Sequence, residues 1–137
     1  HKRAVQLNVL SHISFVGRVH YEELPRFISL GEVFAMPSRS RLAGLEVEGL
    51  GIVYLEASAC GLPVVGGISG GAPDALLEGE TGFAVDGLNP AAVAEKIIYL
   101  LDNPEIAASM GARGRQWIVD EWEWRNWSAR FNQLLSE

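Results

Sequence analysis

The sequence is short of cysteine, histidine and lysine, and each shortage closes off a class of function. A single cysteine, Cys60, in 137 residues rules out an internal disulfide and fits a reducing compartment. The three histidines, His1, His12 and His20, share no ligand spacing with one another or with Cys60, so no metal site is expected. Lys2 and Lys96 are the only lysines, and the formal net charge is −6. Nucleic acid demands basic patches that such a chain does not supply, so none is expected as a partner. An anionic membrane is equally poorly matched as the main contact surface. No run of about 18 apolar residues and no leader-like start is present, which makes the cytoplasm the expected compartment. No Ser-His-Asp set can be assembled. No Gly-x-Gly-x-x-Gly follows the first candidate strand with an acid further on, which disfavours a plain NAD-binding domain.

What remains is ample apolar material: 48% hydrophobic and 20% charged residues, enough for one domain with a real core. His1 to Ser11 reads as the tail of a helix. His12 to Gly17 alternates loosely and ends on glycine, as a short strand does. Glu22 to Leu30 follows as a helix with Leu24, Phe27 and Ile28 on one face. Val33 to Pro37 is a continuous apolar run, the pattern of a buried parallel strand. Ser38 to Val47 is a loop that sets Arg39 and Arg41 near Glu46 and Glu48. Further strands are expected at Pro63–Gly66 and Thr81–Asp86, joined by a glycine-rich turn to Gly71 and a short helix from Pro73 to Leu77. Asn89-Pro90 and Asn103-Pro104 each open a helix. A last helix, Glu123 to Leu135, carries Trp124 and Trp127. The two tryptophans just before it, Trp117 and Trp122, belong with these as packing groups rather than sugar platforms. Strands alternating with helices predict an α/β fold around a parallel sheet.

One stretch concentrates the chemistry: Glu48 to Pro63. Gly51 to Cys60 predicts a short helix, with Gly61 as its left-handed cap and Pro63 as its stop. Apolar residues surround it, so most of its sides should be buried, and Glu56 in its middle should be a buried acid needing a partner. Glu48 precedes it, behind two glycines that leave the first N–H groups open, and such a helix start attracts anions. Glu56 could pair with a distant arginine while the glycines merely form a turn. Alternatively, the helix start holds a phosphate and the two acids hold hydroxyls on either side, which suits a sugar nucleotide.

Glu48, then seven residues, then Glu56, followed by Ala57, Cys60-Gly61 and Pro63-Val64-Val65, resembles the signature of retaining glycosyltransferases of family 4, which have the GT-B fold. With Met36-Pro37-Ser38, Gly44-Leu45, Glu48-Gly49-Leu50-Gly51 and Ser69-Gly70-Gly71-Ala72-Pro73, the likeness extends to actinobacterial GDP-mannose-dependent phosphatidylinositol-mannoside mannosyltransferases. It implies a Rossmann-like parallel sheet flanked by helices. On this likeness, residues 1–137 are part of the C-terminal, donor-nucleotide-binding domain of a two-domain enzyme, and the N-terminal acceptor domain is absent.

The resemblance also assigns roles. Glu48 contacts the donor sugar and is the candidate catalytic residue. Glu56 contacts the ribose hydroxyls. The N–H groups of Leu50, Gly51, Ile52 and Val53, beside Gly49, meet the diphosphate. Gly17, Arg18 and Val19 read the base, unless they are simply a turn after a strand. Arg39 borders base and sugar, or pairs with Glu46 or Glu48. Gly70 and Gly71 lie near the phosphates, or only let the chain turn. Asp74 stands where the family commonly has glutamate. The arginine and lysine with which the family neutralises the diphosphate have no counterpart here, so the piece alone should bind weakly and not turn over.

The function expected is transfer of mannose from GDP-mannose, with retention, to a phosphatidylinositol-mannoside-type lipid acceptor, without metal or organic cofactor. The full-length enzyme is expected at the inner face of the membrane, its lipid or glycan acceptor held by the missing domain. Another nucleotide sugar or acceptor, or a non-catalytic nucleotide-binding module, are the alternatives.

Overall fold

A computed structural model describes residues 1–136. Helix α1 (Lys2–Gln6) and 3-10 turns at Leu10–His12 and Tyr21–Glu23 lead to α2 (Leu24–Ile28). Strand β1 (Phe34–Met36), α3 (Ile52–Ala59), β2 (Val64–Gly67) and β3 (Gly82–Val85) then alternate. The chain closes with α4 (Pro90–Asp102), α5 (Pro104–Trp117), a π turn at Ile118–Trp122 and α6 (Trp124–Leu135). The three strands pair in the order β1-β2-β3, all parallel, with Phe34 beside Val64 and Val64 beside Gly82.

Local sequence accounts for the boundaries. Gly61 takes the left-handed conformation (φ +80°) and the Leu62 N–H reaches back to the Ala57 carbonyl at 3.1 Å, ending α3 as its sequence predicts. Asn89 caps α4, its side chain accepting from the Ala92 N–H at 3.2 Å, with Pro90 in the first helical position. Pro104 plays the same part in α5.

β2 lies at the centre and is buried along its whole length. Successive residues point to opposite faces. Val64 joins Tyr54, Ala57, Ala72, Ala75 and Leu76 under α3, whereas Val65 joins Val85, Leu100, Ala107 and Met110 under α4 and α5. Two cores on two faces of one parallel sheet make the three-layer arrangement that the alternating pattern predicts.

Two expectations fail. His12 to Gly17 forms no strand: a 3-10 turn takes its start and irregular chain the rest. Ile13, Phe15 and Val16 are exposed, because an alternating segment becomes a strand only beside a partner and none of the described strands pairs with it. β1 is likewise less buried than its apolar run suggests, with Ala35 exposed, because it forms the edge of the sheet. No described helix is long and apolar enough to cross a membrane.

Candidate nucleotide-sugar site

Because the strands are parallel, their carboxyl ends lie along one edge, the usual place for a ligand in an open α/β sheet. Ser38 follows β1, Ser69 to Gly71 follow β2, and the loop Glu48–Gly51 enters α3 beside them. These segments are tied together around Glu48. Its Oε2 accepts from the Ser38 hydroxyl at 3.0 Å. Its N–H donates to the Ser69 hydroxyl at 3.2 Å, and Ser69 also meets the Ser40 hydroxyl at 3.0 Å. Its carbonyl accepts from the Gly71 N–H at 3.1 Å. The two loops approach so closely that a Cβ on Gly70 would overlap the Glu48 carbonyl oxygen, and one on Gly71 the Gly49 carbonyl. Gly70 and Gly71 therefore hold the Glu48 loop in place, a packing role that the turn alternative had not included.

Gly51 caps the start of α3 with φ +79° and offers no side-chain acceptor. Among the described residues the N–H groups of Leu50, Gly51, Ile52 and Val53 have no hydrogen-bond partner, while that of Tyr54 bonds the Gly51 carbonyl at 2.8 Å. The helix start is thus a set of unsatisfied donors at the positive end of the helix.

Glu56 corrects its expectation. It is half-buried, not buried, and its carboxylate has no hydrogen bond or ion pair among the described residues. Tyr54, Ala57 and Ser58 are the buried residues of α3, Tyr54 and Ala57 joining Val64 of the sheet and Ser58 lying against Gly114 of α5. At 3.6 residues per turn Glu56 points roughly 200° away from Tyr54, off the sheet. It lines a cleft of about 490 Å³ with Tyr21, Pro25, Ile28, Cys60 and Arg115. The helix is also less enclosed than its composition suggests, for Ile52 is exposed. Arg115 bonds the Ala59 carbonyl at the far end of α3 instead of pairing with Glu56.

Arg39 pairs with neither acid; Arg41 bridges Glu46 at 3.4 Å instead. Arg39 is exposed at a smaller cleft of about 200 Å³ that also includes Ser38, Ser69 and Asp86. Gly17 and Arg18 are exposed and Val19 half-buried, and no hydrogen bond among the described residues connects the three to α3 or its entry loop. Three of the four tryptophans pack on one another: Trp122 lies 5.6 Å from Trp117 and 5.8 Å from Trp127, centroid to centroid, whereas Trp124 is exposed, against its expected packing role. Trp122, Trp124 and Trp127 also face Leu50, Ile52 and Leu55 across an apolar cleft of about 450 Å³. Tyr54 was missed by the sequence reading. A phenol in an apolar helix between two candidate acids was the available signal, since a buried tyrosine normally finds a partner.

Residues 1–117 match the family model described as glycosyl transferases group 1. The chain belongs to this family. Among curated relatives of this group 1 glycosyltransferase domain is a GDP-mannose-dependent alpha-(1-6)-phosphatidylinositol monomannoside mannosyltransferase of Mycolicibacterium smegmatis. It is 52% identical over 135 residues, which are 98% of this chain and 35% of that protein. A D-inositol 3-phosphate glycosyltransferase of Corynebacterium efficiens is 38% identical over 97% of this chain and 29% of its own length. The chain therefore spans about a third of the relatives it matches. Sucrose-phosphate synthase from Thermosynechococcus elongatus superposes with a TM-score of 0.85 at 27% identity, over 98% of this chain and 32% of that one. The C-terminal domain of a group 1 glycosyl transferase (LpcC) from Francisella tularensis shares the fold at 19% identity. Its TM-score is 0.77, and the match covers 90% of this chain and 60% of that one.

Proposed function

We propose that this chain is the donor-nucleotide-binding, C-terminal domain of a two-domain retaining mannosyltransferase. The donor is GDP-mannose and the acceptor a phosphatidylinositol-mannoside-type lipid held by the other domain. The observation that carries the reading is the start of α3: four unpartnered N–H groups between an anchored acid, Glu48, and an unpaired one, Glu56. The diphosphate sits on the N–H groups of Leu50 to Val53, where both the free donors and the helix dipole favour negative charge. Glu48 receives hydroxyls of the sugar, and Glu56, open to its cleft, receives those of the ribose. Gly17, Arg18, Val19 and Arg39 border the base. No metal or organic cofactor enters this reading; the leaving diphosphate is met by the helix start and by basic groups of the complete enzyme.

Donor and acceptor are assigned from the mannosyltransferase relative's activity and its 52% identity. The inositol-phosphate relative favours a second reading, in which the fold and the two glutamates stay and the donor or acceptor changes. Transfer assays on the full-length polypeptide separate the two. GDP-mannose with a phosphatidylinositol monomannoside should give product, and UDP-sugars with inositol phosphate should give none; the reverse result would replace the first reading with the second.

A further inference from the structure

We infer that Tyr54 and Ser38 are positioning residues that fix the carboxylate of Glu48, an inference that rests on the proposed role of Glu48 at the donor sugar. Tyr54 is wholly buried, its ring packed edge-on to Phe34 at 6.4 Å between centroids. Its hydroxyl, however, stands at the junction of all the segments that build the site. It lies 2.6 Å from the Met36 carbonyl oxygen at the end of β1 and 2.7 Å from the Ser38 hydroxyl. It accepts from the Gly67 N–H at the end of β2, at 3.4 Å. Ser38 in turn donates to Glu48 Oε2 at 3.0 Å.

Counting protons gives the direction of these bonds. Each hydroxyl has one proton and can also accept. The Ser38 proton goes to the carboxylate, because a hydrogen bond to an ionised acceptor is the stronger choice. The Tyr54 proton goes to the Met36 carbonyl, whose other lone pair accepts from the Ser38 N–H at 2.8 Å. Tyr54 thus holds the turn after β1 from below, and Ser38, carried on that turn, makes the bond to Glu48.

The consequence is geometric. Glu48 Oε2 is tied down, and Oε1 has no partner among the described residues. The side chain of an entry-loop residue is thereby held at a fixed angle to the helix start without any contact of its own with the core. Tyr54 brings the rigidity of the buried sheet to that loop. Glu56, with no such support, has no equivalent constraint.

The test uses the full-length enzyme, a double-mutant cycle and a nucleotide that lacks the transferred mannose. Tyr54→Phe keeps the ring and removes the hydroxyl; Ser38→Ala removes the donor to Glu48, and Ser38→Thr restores it. Donor kcat/KM should fall about fivefold in Tyr54→Phe, which loses bonds to neutral partners, and about tenfold in Ser38→Ala, the loss expected for a hydrogen bond to a charged group. Ser38→Thr should recover most of it. The GDP dissociation constant should stay within about twofold, since GDP carries no mannose for Glu48 to meet. In a Glu48→Gln background, Tyr54→Phe should cost much less than it does alone, because coupled residues are not additive. An equal loss in both backgrounds, or a parallel loss of GDP affinity, would make Tyr54 a structural residue and overturn the inference. Full activity of Glu48→Gln itself would instead overturn the site assignment on which the inference stands.

Discussion

Glu48 and the opening segment 9–20 treat similar raw material in opposite ways. Both lie in chain without long regular structure, and both carry residues assigned to the donor by family resemblance. Around Glu48, the side chain, N–H and carbonyl are each bonded to a different neighbour, and two glycines let a second loop press against it. Around Gly17 to Val19, residues are mostly exposed, and the apolar Ile13, Phe15 and Val16 find no sheet to join. The comparison teaches that the proposed sugar and diphosphate end of the site is built by contacts inside this chain. The proposed base end is not fixed by them.

The largest effect expected from this contrast is at Glu48. Replacing it with glutamine in the full-length enzyme should lower turnover by about 10²–10³-fold, on the scale of losing one oriented group at a reacting centre, as steady-state kinetics would show. Gly71→Ala attacks the same hub through the backbone. Its Cβ would strike the Gly49 carbonyl, and forcing the two loops apart should cost about 1–3 kcal/mol, seen as a clear drop in Tm by calorimetry. Glu56→Ala should separate binding from stability. With no partner to orphan, it should change unfolding free energy by no more than about 0.5 kcal/mol, yet weaken GDP about tenfold in a titration. Val16→Thr, in the exposed opening segment, should stay within about 0.5 kcal/mol in denaturant unfolding. A large loss there would mean that this segment is bound into the fold after all.

Much of this was readable in the residues. Pro63-Val64-Val65 gave the central strand because a run buried on both faces has no reason to alternate, and Asn89-Pro90 and Gly61 gave helix ends because their backbone chemistry is local. The spacing of Glu48 and Glu56 is also what singles out the proposed site. What was not readable depends on neighbours. An apolar count around α3 could not say that Glu56 faces outwards, because the side of a helix that meets the sheet is decided by packing. The alternation of His12 to Gly17 could not say that no partner strand would lie beside it. The role of Gly70 and Gly71 as seats for the Glu48 and Gly49 carbonyl groups, on another loop, was likewise invisible before the loops were placed. Tyr54 was hidden for the opposite reason: its hydroxyl is polar, but its position in an apolar run reads as core, and it is both.

The central claim is that the start of α3 holds the diphosphate of the donor. Backbone amide shifts of the isotopically labelled protein, followed as GDP is added, test it most directly. The account predicts the largest changes at the N–H groups of Leu50, Gly51, Ile52 and Val53, with smaller ones at Glu56. Saturable binding of GDP that leaves those four amides unmoved would contradict it.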